Sequence, residues 1–173
     1  YALSKREVVG RYRGSYAGIL WSFINPLVML CVYTFVFGII FNAKWTEQSN
    51  SRIDFVLILF AGLLVFNIFS ECINKSPAII FSHENYVKKM VFPLEILPWV
   101  TLSSALFHGA ISLFVWILAY SVLIHIPSPT AFWLPLIIFP LCLLLMGLMW
   151  TLAALGVYLR DVGQVIGMAV TAL

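Results

Sequence analysis

Charge is what this sequence has least of. Only 10% of its 173 residues are Asp, Glu, Lys or Arg, while 62% are hydrophobic; a soluble domain carries about 25% charged residues. So few charges cannot cover a water-facing surface, which excludes a soluble globular protein and makes lipid the solvent for most of the chain. Cysteine is sparse as well. Cys31, Cys72 and Cys142 lie far apart, in or beside apolar runs, and give neither a disulfide framework nor a zinc spacing; they read as small packing residues, and no metal site is expected. Signatures of catalysis are missing too. Nothing matches the phosphate loop G-x-x-x-x-G-K-[ST], His83-Glu84 is followed by Val87 where a zinc protease needs a second His, and no Ser sits in a G-x-S-x-G elbow. The residues show no enzyme and no cofactor bound by this chain, and no nucleic-acid partner is expected.

What is present is a series of long apolar runs. Residues 16–41, 55–73, 98–124 and 132–159 are each long enough to cross a bilayer, which takes about 20 residues, and polar or turn-forming residues separate them, among them Pro127-Ser128-Pro129. Inside hydrocarbon every backbone donor and acceptor must be satisfied, and the runs lack the two-residue alternation of a barrel strand. The expectation is an all-α, polytopic membrane bundle. Residues 162–173 read as the start of a fifth span, so the chain reads as a fragment of a single transmembrane domain.

The few basic residues are unevenly placed. Lys5, Arg6, Arg11, Arg13, Lys75, Lys88, Lys89 and Arg160 fall on one side of the alternating spans, and only Lys44 and Arg52 on the other. Because cytoplasmic flanks are rich in Lys and Arg, the N-terminus and the connection between the second and third spans are expected in the cytoplasm. Residues 1–14 suit a helix in the headgroup layer, with Lys5, Arg6, Arg11 and Arg13 available to anionic lipid. An ordinary topology-fixing flank is the alternative. Gly10, Gly14 and Gly18 recur every four residues, either as a packing stripe or as the glycines of a turn.

Candidate functional residues follow from local chemistry. In the first span Asn25-Pro26 predicts a helix kink, with Asn25 able to satisfy a freed backbone group. Tyr33, Phe37 and Phe41 follow at spacing four, on one helical face; they are either packing residues or a stripe on which sugar rings could stack. His108 near the middle of the third span and Glu71 near the end of the second, with Lys75 four residues on, are the candidates for an ion-coupled secondary transporter. They form no obvious ion path. Between the second and third spans lies NYVKKMVFPLEILPW, a charged insertion bracketed by Pro77, Pro93 and Pro98. Within residues 82–92, the run Ser82, His83, Glu84, Asn85, Tyr86, Val87, Lys88, Lys89 and Met90 predicts a short helix outside the bilayer, with Ser82 or Asn85 as a possible cap. A helix of that kind invites a protein partner.

Three blocks, REVVGRYRGSYAGILWSFINPLVML, NYVKKMVFPLEILPW and LGVYLRDVGQV, stand in this order along nearly the whole chain. Together they resemble the membrane subunits of type-2 ABC exporters that export polysaccharides such as O-antigen, teichoic acid or capsular polysaccharide. The resemblance implies an amphipathic interface helix followed by six spans in the full-length protein. It also implies a homodimer enclosing a channel, in a bacterial inner membrane, with two copies of a separate subunit that uses ATP and Mg2+. It makes Ser82–Met90 the coupling helix seated on that ATPase, Arg160-Asp161 a secondary contact, and Tyr33, Phe37 and Phe41 channel-lining residues for a lipid-linked polysaccharide. An exporter of a drug or small amphiphile would share the architecture, and a non-transporting scaffold is a further alternative.

Overall fold

The computed structural model describes residues 4, 7, 10, 18–40, 52–82, 94–123, 133–159 and 161–173. Among these there is no strand. Ser4, Glu7 and Gly10 are helical. A 3-10 turn, Gly18–Leu20, leads into α1, Trp21–Tyr33, which continues as a π-helix over Thr34–Ile40. Then come α2, Arg52–Lys75, a 3-10 turn Ser76–Ala78, the short α3, Ile79–Ser82, and three more helices: α4, Ile96–Leu123; α5, Leu134–Tyr158; and α6, Val162–Ala172. The stretches Phe55–Ser82, Ile96–Leu123 and Leu136–Tyr158 are long and apolar enough to cross a membrane, and Trp21–Phe37 and Val162–Ala172 are shorter apolar helices. The chain is a multi-pass membrane protein.

Local chemistry explains where these helices start and change. Gly18 has φ +49°, a left-handed conformation that glycine adopts without steric cost, so at this position the glycine serves the turn into α1. Pro26 lies inside α1, where its ring removes one backbone donor and disturbs the carbonyl of Ser22, four residues back. Ser22, Pro26 and Leu30 form the buried face of α1. The Thr34 hydroxyl donates to the Leu30 carbonyl at 2.7 Å, a back-bond that bends helices, and from Thr34 the winding widens to π. Regular α spacing had been expected through Phe41. Pro77 ends the α winding of α2 but not the helical path, which resumes at Ile79. Pro98 falls in the first turn of α4, and Pro135 in that of α5, where the missing N–H has no intrahelical acceptor to lose.

The chain divides into two compact units. The first, called here the Pro77 unit, comprises Tyr1–Val8, Ile68–Leu106 and Trp133–Leu173; the second, the Phe60 unit, comprises Val9–Asn67 and Phe107–Phe132. In the Phe60 unit Leu30, Val56, Leu57 and Phe60 form a buried cluster, flanked by Tyr33, Phe37, Trp116, Ala119 and Tyr120. Aromatic rings set its geometry: Tyr33 meets Phe60 edge-on with centroids 6.4 Å apart, Phe37 lies 6.3 Å from Phe55, and Trp116 lies 5.4 Å from Tyr120. The Trp116 indole N–H donates to the Leu57 carbonyl at 2.9 Å, so the ring that fills the space also fixes α4 against α2.

Candidate functional site

The expected coupling helix can be approached only from its base, since His83 to Met90 lie outside the described residues. So do Lys5, Arg6, Arg11, Arg13, Phe41 and Arg160. Ser82, the one described member of that run, is the last residue of α3, and its hydroxyl donates back to the Ile79 carbonyl at 3.0 Å. Asp161 is exposed and opens α6: its carbonyl accepts the N–H of Gln164 at 3.0 Å and of Val165 at 3.2 Å.

The base itself belongs entirely to the Pro77 unit. Ser76 and Pro77 are buried, as is Ile79. The Ser76 hydroxyl, fully buried, donates to the Cys72 carbonyl at 2.6 Å, which satisfies a group left open where α2 gives way to the 3-10 turn. Pro77 lies directly on α5. A Cβ built on Gly156 would overlap the Pro77 carbonyl oxygen and fall 2.8 Å from its Cα. Only glycine permits this backbone-to-backbone approach, the small-residue mode by which membrane helices pack closely. α6 reaches the same place: a Cβ on Gly163 would sit 3.8 Å from the Pro77 ring, and one on Gly167 would sit 3.9 Å from the Asn74 side-chain oxygen.

Polar contacts surround this packing. The Lys75 ammonium donates to Glu71 Oε1 at 3.0 Å and lies 3.5 Å from Glu7 Oε1. Lys75 is the last residue of α2, where a cation also complements the helix dipole. The Glu71–Lys75 pair was visible as a four-residue spacing; the second carboxylate, Glu7, was not singled out, because nothing local to LSKREVV ties it to a partner. Ser4 reaches Ser103 of α4, with 3.1 Å between their hydroxyl oxygens. The Ser103 hydroxyl is also close to the carbonyls of Trp99 and Val100. If its single proton is given to its own helix, Ser4 is the donor of the pair. On the returning side, Leu97 N–H bonds the Leu94 carbonyl at 3.0 Å, and the Trp150 indole of α5 donates to the Glu95 carbonyl at 3.4 Å.

The other described candidates belong to the Phe60 unit. Tyr33 and Phe37 are half-buried in the Phe60 unit, with their rings 6.2 Å apart. Asn25 is exposed, and among the described residues its side chain has no hydrogen-bond partner. His108 is half-buried with the Phe107 ring edge-on at 5.8 Å. Among the described residues no group of His, Cys, Asp and Glu could hold a metal ion.

The described residues form apolar helices, with a second span that passes through Pro77 and on to Ser82, as befits a polytopic membrane domain. The chain belongs to the ABC-2 type transporter family, whose model matches residues 1–173. Among curated proteins it is similar to the O-antigen export system permease protein RfbA of Myxococcus xanthus, 25% identical over 98% of this chain and 63% of that protein. It is also similar to the permeases of the same name from Klebsiella pneumoniae, 22% identical over 97% of this chain. The chain spans 62% of the length of those proteins.

Proposed function

We propose that the chain is the membrane-spanning part of an ATP-driven exporter that moves a lipid-linked polysaccharide out across a bacterial inner membrane. The observation that carries this reading is its similarity, over nearly its whole length, to permeases of O-antigen export systems. In this reading two copies enclose the channel, and a separate subunit, present twice, binds ATP and Mg2+. The excess of Lys and Arg puts the N-terminus and the Ser82–Met90 segment in the cytoplasm. ATP binding closes the partner subunits on each other, and the displacement enters through Ser82–Met90, with Lys88 and Lys89 making polar contacts and Arg160-Asp161 a secondary one. The proline-stiffened base, with Ser76, Pro77 and Ile79 buried, supports that assignment, because a lever needs a root that does not yield. Tyr33, Phe37 and Phe41 are the proposed guides for sugar rings.

The test uses the full-length permease expressed with its ATP-binding subunit. The subunit should co-purify in mild detergent, and Lys88→Glu with Lys89→Glu should release it and abolish surface display of the polymer. A double reversal that leaves both association and display intact removes these lysines from the mechanism. A permease that brings down no ATPase has lost its motor, and the ion-coupled alternative through His108 and Glu71 then returns.

A further inference from the structure

Ser4 and Glu7 are attached to two different helices, and those helices are the legs between which residues 83–93 run. Glu7 pairs with Lys75, at the foot of the outgoing leg; Ser4 pairs with Ser103, in the second turn of the returning one. The carboxylate is the unexpected part. A helix meant only to lie on anionic lipid has no use for Glu7 among Lys5, Arg6, Arg11 and Arg13, since an acid is repelled by the same surface that attracts its neighbours. Glu7 is instead turned towards protein: its side chain is only 22% exposed, and Oε2 is buried, with no hydrogen-bond partner among the described residues. Its charge is balanced there by Lys75, which also serves Glu71.

A segment pushed at its tip can respond in two ways: both legs move together, or the legs spread. Apolar contacts between membrane helices resist spreading poorly, because lipid tails are as apolar as the side chains they would replace. A hydrogen bond and an ion pair that join a third element to both legs do resist it. We propose that the helical residues Ser4 and Glu7 form a strap across the base of the coupling segment and act as positioning residues. Displacement of residues 83–93 then carries the adjoining ends of α2 and α4 as one piece. This role rests on the coupling reading above, but the strap itself is measurable without the ATPase.

The experiment places spin labels on the two legs, at the exposed positions Ala78 and Ile96, in the full-length permease alone in lipid nanodiscs, with Cys31, Cys72 and Cys142 replaced by Ala. The parent protein should give one narrow distance distribution. Glu7→Lys sets two cations together and Lys75→Glu sets three carboxylates together; each should add a longer component, and Ser4→Ala should enlarge it. Combining Glu7→Lys with Lys75→Glu restores one cation between two carboxylates and should restore the narrow distribution, a rescue that mere damage to folding would not show. A distribution unchanged by either single reversal overturns the strap, as does a double reversal that stays broad. Failure of the ATP-binding subunit to co-purify with the unmodified permease removes the coupling role while leaving the distance result to stand or fall by itself.

Discussion

Each unit is held together internally, and the two use different means. In the Phe60 unit helices meet through large side chains: Phe60 is buried among Leu30, Val56 and Leu57, with Tyr33 at its edge and Trp116 nearby. In the Pro77 unit the decisive contact has no side chain on one side, because the carbonyl of Pro77 occupies the space where a Cβ of residue 156 would be. Rings and branched side chains can repack around a substitution, whereas two backbones in contact can only separate. The unit that receives the proposed push is therefore the one that yields least, and the unit carrying the aromatic residues is the one that can adjust.

Four substitutions sharpen or break that contrast. The largest effect is expected from Gly156→Ala, where one methyl group meets main chain; about 3 kcal/mol of destabilisation, the upper part of the usual overpacking range, should appear as a lowered unfolding temperature in detergent. An unchanged unfolding temperature would mean that α5 and the 3-10 turn can part without loss, and the contrast would collapse. Phe60→Leu should cost less, roughly 1 kcal/mol, because the surrounding apolar and aromatic side chains can close over most of the lost volume. Equal damage from Phe60→Leu and Gly156→Ala would show both units to be equally rigid. The smallest effect has the opposite sign. Nothing lies within 4 Å of a Cβ placed on Gly62 or Gly147, so alanine at either helical position should stabilise by about 0.5–1 kcal/mol. Loss of stability at Gly147 would place an unrecognised neighbour on α5.

Much of the fold was legible because hydrophobicity in lipid is a coarse signal. Runs such as residues 98–124 cannot be anything but helix once water is removed, and α4 is found over Ile96–Leu123. The details that escaped depend on contacts distant in sequence or on hydrogen-bond register. Gly156 sits in LAALGVY with no local sign that Pro77, far back in the chain, needs its missing side chain. Pro77 was legible only as one bracket of the charged insertion beyond a span ending at residue 73, yet with Ser76, Pro77 and Ile79 buried the helical path runs on to Ser82. Glu7 looked like one acid in a basic flank, and its value appears only when Lys75 is beside it. The spacing of Tyr33 and Phe37 suggested a face of a regular α-helix, while the winding between them had already become π.

That change of winding bears on how α1 fits its solvent. A π turn closes its hydrogen bonds five residues apart and takes more chain for each turn than an α turn. Residues 18–40 therefore reach less far along their axis than the same number of α-helical residues, each of which adds about 1.5 Å. A hydrophobic segment short for its bilayer is accommodated by thinning of the lipid beside it or by flanking side chains that reach to the interface, whereas a long one tilts. The consequence is one of depth: residue for residue, Thr34–Ile40 cover less of the bilayer than an α-helix would, so residues 18–40 need less tilt to fit it than an α-helix of equal length.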